Sequence, residues 1–166
     1  AALVAAAVSL GIGAGAADVT DLLWKAVTFV RSLPERGAWS PEPDVVAATH
    51  RALKLAAQPS SSPQWLAGQI GTAVASAQAI PMAFALLARD PSPRALLQAA
   101  NLGGDTDTIG AIAGAILGAS LGVEVFDGYG LAQVEQVSQL DLPSVATDLL
   151  ALRDRKGGGS TPAAAT

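Results

Sequence analysis

Residues Asn101–Gly122 read NLGGDTDTIGAIAGAILGASLG. Two glycines are followed by Asp105, Thr106, Asp107 and Thr108, and no charge then occurs from Ile109 to Gly122. Gly103 and Gly104 permit the positive φ of a sharp turn. On a regular helix Asp105 and Asp107 would diverge. On a turn entering a helix both can face one point, where the Thr108 hydroxyl can join them. Such hard oxygen donors suit Mg²⁺, Mn²⁺ or Ca²⁺. Gly110, Gly114, Gly118 and Gly122 recur every four residues, along one helix face. Each costs a helix about 1 kcal/mol against alanine. The stripe therefore predicts a helix wedged into the centre of the protein, compensated by close approach to another helix.

Two plainer readings compete. Asp105 or Thr106 can serve as an ordinary N-cap, but capping needs one such residue and not four. The glycine spacing is also that of packed membrane helices. Ile109–Val123 is shorter than the ~20 residues a span requires, and acids flank it at both ends, with Glu124 and Asp127 following. A buried helix fits better.

Composition points the same way. The chain has 166 residues, 51% of them hydrophobic and only 14% charged, which suits tightly packed helices. The net charge of −4 argues against nucleic-acid binding, which needs clustered Lys and Arg. With no cysteine, thiol catalysis and zinc–thiolate sites are excluded. The opening AALVAAAVSLGIGAGAAD lacks the basic region of a signal peptide and is too short and Ala/Gly-rich for a span. A cytoplasmic protein with no membrane partner is expected.

Outward from the motif, apolar periodicity predicts helices throughout. Ala2–Leu10 reads as a buried helix whose beginning has been cut away, followed by a flexible loop at 11–16. Val19–Leu33 is amphipathic, with Asp18 or Thr20 as cap and Pro34 as stop. Trp24 is expected to pack at an interface, whereas Trp39, in the turn-rich loop 34–43, either covers a pocket mouth or anchors the loop. Asp44–Ala57 is a second amphipathic helix carrying His50, the single histidine. Residues 57–64 read as an exposed linker and Trp65–Gly68 as a short turn. A helix then runs from 68 to 89, kinked or divided at Pro81. Gly71, Thr72, Ser76 and Gln78 are small or polar on this apolar stretch and either line a site or satisfy neighbouring backbone. Ser92 caps a helix over Pro93–Ala100. After the loop 123–130, in which Phe126 and Tyr129 are core anchors or ligand contacts, Leu131–Leu140 and Pro143–Leu152 close the chain. Residues 155–166 form a disordered tail, leaving 1–154 as the folded part.

The motif NLGGDTDTIGAIAGAILGA resembles the C-terminal signature of the ADP-ribosylglycohydrolases, which include the dinitrogenase reductase-activating glycohydrolases. The likeness extends upstream through IGTAVASAQAIPMAFALLARDPSPRALLQAA, downstream to LDLPSVATDLLALR and, more loosely, back to VAAAVSLGI. It implies an all-α fold, a compact multi-helix orthogonal bundle of which this chain is the C-terminal part. It also implies a dinuclear Mg²⁺ or Mn²⁺ centre that cleaves ADP-ribose from proteins or small molecules. Asp105, Asp107 and Thr108 would be metal ligands. Gly103, Gly104 and Thr106 beside them, with Gly71, Thr72 and Ser76, would contact substrate. The family's second ligand set, Thr/Ser-Asp-Asp, has no counterpart here, since ADVTD at 17–21 lacks adjacent acids. The family often has Glu where Gln78 stands, and an amide cannot act as a base. The chain is therefore expected to supply half of the metal site, to be inactive without an N-terminal half in cis or trans, and to expose apolar surface where that half docks. A non-catalytic ADP-ribose- or nucleotide-binding or structural relative is the alternative.

Overall fold

A computed structural model describes residues 1–14, 18–34 and 41–157. Among the described residues there are nine α-helices and no strand. They are α1 (Ala2–Ala14), α2 (Val19–Ser32), α3 (Val45–Ala56), α4 (Pro63–Ile70), α5 (Ser76–Arg89), α6 (Arg94–Ala100), α7 (Thr106–Leu121), α8 (Leu131–Ser138) and α9 (Leu142–Gly157). A 3₁₀ turn covers Val123–Phe126. The all-α expectation holds, and no described helix is long and apolar enough to cross a membrane. The chain divides into two units, Ala1–Val125 and Phe126–Thr166.

In the first unit the central helix is α5, not the one after the acidic motif. Every residue from Ala79 to Leu87 is buried, and a helix apolar on all sides belongs inside. It packs against α2, α3, α4, α6 and α7. The helix runs through Pro81, which has no N–H to offer the carbonyl of Ala77. Around α5 the outer helices each turn one stripe inward. Helix α2 buries Val19, Leu22, Leu23, Ala26 and Val27, and α3 buries Thr49, Ala52, Leu53 and Ala56. Their starts are fixed by side-chain caps: Asp18 accepts from the Thr20 N–H at 2.8 Å and Asp44 from the Ala47 N–H at 2.6 Å.

Helix α7 is only half buried. Ile109, Ala113, Ile116, Leu117 and Ser120 face inward, whereas Asp107, Thr108, Ala111 and Ala115 are exposed. The expected close approach through the glycine stripe is not found at Gly110, where an added Cβ would meet open space, or at Gly114, where it would make an ordinary 3.8 Å contact with Leu96. It comes instead from α1, which continues as helix through the expected loop to Ala14. A Cβ on Gly11 would stand 2.8 Å from the Ser120 hydroxyl and 3.2 Å from the α7 backbone.

Three further expectations are corrected. The linker at 57–64 is not simply exposed, because Ser61 is buried, donating to the Ala56 carbonyl at 2.9 Å and accepting from Arg89 at 3.2 Å. The turn at Trp65–Gly68 is the middle of α4, which Ser62 caps through the Trp65 N–H and Pro63 opens. The helix expected over 68–89 breaks at Gly71, whose φ of +88° closes α4. Trp39, residues 15–16 of the expected loop and residues 158–166 of the expected tail lie outside the described residues.

The second unit has a different character. From Phe126 to Leu152 no residue is buried. Val137 is 84% and Leu149 60% exposed. Tyr129, 46% exposed, does not anchor a core. Asp141 accepts from the Ser144 N–H at 3.0 Å at the start of α9.

Candidate metal centre

The turn that delivers the chain into α7 uses the conformations its glycines allow. Gly103 and Gly104 have φ of +75° and +76°, and both are exposed. Asp105 occupies the N-cap position of α7, and its carbonyl accepts from the Ile109 N–H at 3.1 Å. Its side chain makes no capping hydrogen bond. That separates it from Asp18 and Asp44, whose carboxylates are committed to their helices. Ordinary capping therefore does not explain Asp105.

The Asp105 side chain acts instead on Asp107. Asp107 is held below the usual carboxylate range, first by the Thr108 backbone N–H, then by the hydrogen bond with Asp105 and by its own N–H, against a small opposing effect of desolvation. Two carboxylates this close repel unless a proton or a cation stands with them. Thr106 is the first residue of α7, half buried, and Thr108 is exposed beside Asp107.

A second segment meets this turn. The Asp105 N–H donates to the Thr72 carbonyl at 2.7 Å. Gly104 lies so close to the carbonyl and hydroxyl oxygens of Thr72 that no Cβ fits between. Gly71 is packed in the same way against the side chain of Gln78, and Gln78 Oε1 accepts from the Ala73 N–H at 3.0 Å. So Gly71 and Thr72, far from the motif in sequence, are brought into or next to it. Ser76, exposed at the first position of α5, has no hydrogen bond to it. Of the two readings of Gln78, satisfaction of neighbouring backbone is the one observed. The sequence signal for this contact, a lone amide beside a glycine turn, was present but does not say which strand of backbone it serves.

His50 lies elsewhere, on α3, with its ring edge-on to Trp24 of α2 at 5.4 Å. Its pKa is lowered by partial burial and by the charges of Lys54 and Arg31. A cleft of about 200 Å³ beside the α4–α5 loop is lined by residues including Arg51, Gln69, Ala75 and Gln78, but by none of the acidic motif.

Among the described residues, no three His, Cys, Asp or Glu side chains gather in a group that could hold a metal. The motif offers two carboxylates and flanking hydroxyls. That donor set fits a hard divalent cation in kind, but fills only part of the six or more positions such an ion takes.

The chain matches the family described as ADP-ribosylglycohydrolase over residues 1–159. It is also similar to the uncharacterised protein YegU of Escherichia coli (strain K12), at 42% identity over 89 residues. That alignment takes in 52% of this chain and 27% of YegU, so the match spans about a quarter of its relative's length. No solved structure matches significantly. The match covers most of the chain, and the chain belongs to the ADP-ribosylglycohydrolase family.

Proposed function

We propose that this chain supplies half of a dinuclear Mg²⁺ or Mn²⁺ site in a hydrolase that releases ADP-ribose from protein or small-molecule acceptors. The observation that carries this reading is the pairing of the Asp105 and Asp107 carboxylates at an exposed helix start, with Asp105 spared from capping. Family membership supports glycohydrolase chemistry at the level of class. The Thr108 hydroxyl is the third donor. Bound metal would supply charge neutralisation and an acidified water for attack at the anomeric carbon.

The residues of this chain have a simpler task. Asp105 and Asp107 concentrate negative charge where the positive end of the α7 dipole would otherwise repel a cation. The Thr108 N–H, followed by Asp105, holds Asp107 below the usual carboxylate range. Gly103, Gly104, Thr106, Gly71 and Thr72 form the wall next to these ligands, where substrate would rest. The acid for the leaving group and the second ligand set are assigned to an N-terminal half, joined in cis or in trans.

Two carboxylates offset little of an ion's dehydration, so the isolated chain should bind Mn²⁺ weakly. Isothermal titration of wild type, Asp105→Ala and Asp107→Ala with MnCl₂ tests the site. Loss of binding in both variants is expected, and equal affinity in all three would remove the metal reading. Catalysis is tested by adding the N-terminal half of a family member and measuring Mn²⁺-dependent release of ADP-ribose.

A further inference from the structure

The fit of the α4–α5 loop to the acidic turn extends one step behind the ligands. From Gly71 to Ala75 the chain follows no helix, and its backbone is held at two points. At one, Gln78 Oε1 accepts the Ala73 N–H at 3.0 Å, while the same amide end fills the space against Gly71. At the other, the Thr72 carbonyl accepts the Asp105 N–H at 2.7 Å. The Thr72 carbonyl and the Ala73 N–H are the two ends of one peptide group, so both bonds hold the same unit of backbone. The Gln78 N–H is itself bonded to the Ala75 carbonyl at 2.8 Å, so the side chain projects from the first turn of α5, the most deeply buried helix.

We propose that Gln78 is a positioning residue, which sets the place of Asp105 by clamping the 71–73 backbone to the first turn of α5. The proposal rests on the reading of Asp105 as a metal ligand. The requirement at position 78 is an acceptor oxygen at the end of a two-methylene side chain, and not an amide as such. Supporting groups of this kind change metal affinity by about 10- to 100-fold when removed.

The test compares Gln78→Met, which keeps the length and removes the acceptor, with Gln78→Glu, which keeps an acceptor oxygen. Hydrogen exchange of the Asp105 amide is followed by NMR, and Mn²⁺ affinity by titration, with the melting temperature as control. In Gln78→Met the Asp105 amide should exchange faster by up to about tenfold, the equivalent of one hydrogen bond. Its Mn²⁺ affinity should fall about tenfold or more, and Gln78→Glu should restore both. Should Gln78→Met fail to fold, Gln78→Asn draws the oxygen back by one methylene and is read in the same way. Unchanged Asp105 exchange in a folded variant overturns the clamp. Faster exchange with unchanged Mn²⁺ affinity overturns its service to the metal site. Wild-type protein that binds no Mn²⁺ removes the metal reading alone, and the exchange experiment still decides the clamp.

Discussion

The Asp105 N–H donates to the Thr72 carbonyl at 2.7 Å, joining the start of α7 to the loop that precedes α5. Gly104, immediately before it, is pressed on the same carbonyl, while its neighbour Gly103 faces open space. Both have positive φ, so both resist a side chain for conformational reasons. Only Gly104 resists it sterically as well. Gly103→Ala should cost about 1 kcal/mol of unfolding free energy, the ordinary penalty for positive φ. Gly104→Ala should cost clearly more, about 2–4 kcal/mol, or displace the 71–73 loop. Urea denaturation of the two variants checks the difference. Equal losses would mean that the two segments do not touch as described.

The glycines of α7 make the opposite case. Gly110 is helical with nothing near its missing Cβ, so Gly110→Ala should stabilise the protein by up to about 1 kcal/mol. Gly11 faces Ser120, whose hydroxyl is held by the Ile116 carbonyl at 2.8 Å, and it also faces the α7 backbone. Gly11→Ala should therefore destabilise by about 1–3 kcal/mol. Thermal melts of both variants give the two signs. Destabilisation by Gly110→Ala would show that the face of α7 is covered.

That pair also shows where sequence stops informing structure. A four-residue glycine period says that one helix face is smooth, and smoothness is necessary for close packing but does not create it. The partner that uses a small residue is α1, whose Gly11 sits in an Ala/Gly run with no period to mark it. Helix starts were legible where a single side chain decides them, as at Asp18 and Asp44. Ser62–Pro63 carried an equally good start signal, obscured by the run of polar residues around it. The acidic cluster was legible because four oxygen-bearing side chains fall on consecutive residues, directly before an uncharged run. Its dependence on Thr72 was not, because a backbone carbonyl leaves no mark in the sequence.

His50 gives the pH dependence of stability a defined sign. Partial burial, followed by Lys54 and Arg31, lowers its pKa in the folded state from 6.5. The unfolded chain then binds the proton more readily, so this contribution is present above the unfolded pKa and is lost as pH falls through the folded one. Stability should decline from about pH 7 downward, before carboxylates titrate. His50→Gln should flatten that part of the profile with little effect near about pH 8. Urea midpoints across this range check it, and an identical slope in the variant would assign the decline to other groups.

The second unit supplies the last expectation. Residues 126–152 include no buried side chain, and α8 and α9 carry Val134, Val137, Val145 and Leu149, each more than half exposed. Helices of 8 and 16 residues are marginal in water without a packed face. Their apolar residues therefore contribute little in the chain by itself, whereas each could gain about 1.5–3 kcal/mol if covered. Amide exchange over 131–157 should be fast, and slow over α5, where Ala79–Leu87 are sealed. Adding an N-terminal half that covers these faces should slow exchange in α8 and α9 well beyond any change in α5. Protection of 131–157 equal to that of α5 in the chain alone would mean that the unit has a core of its own and needs no complement.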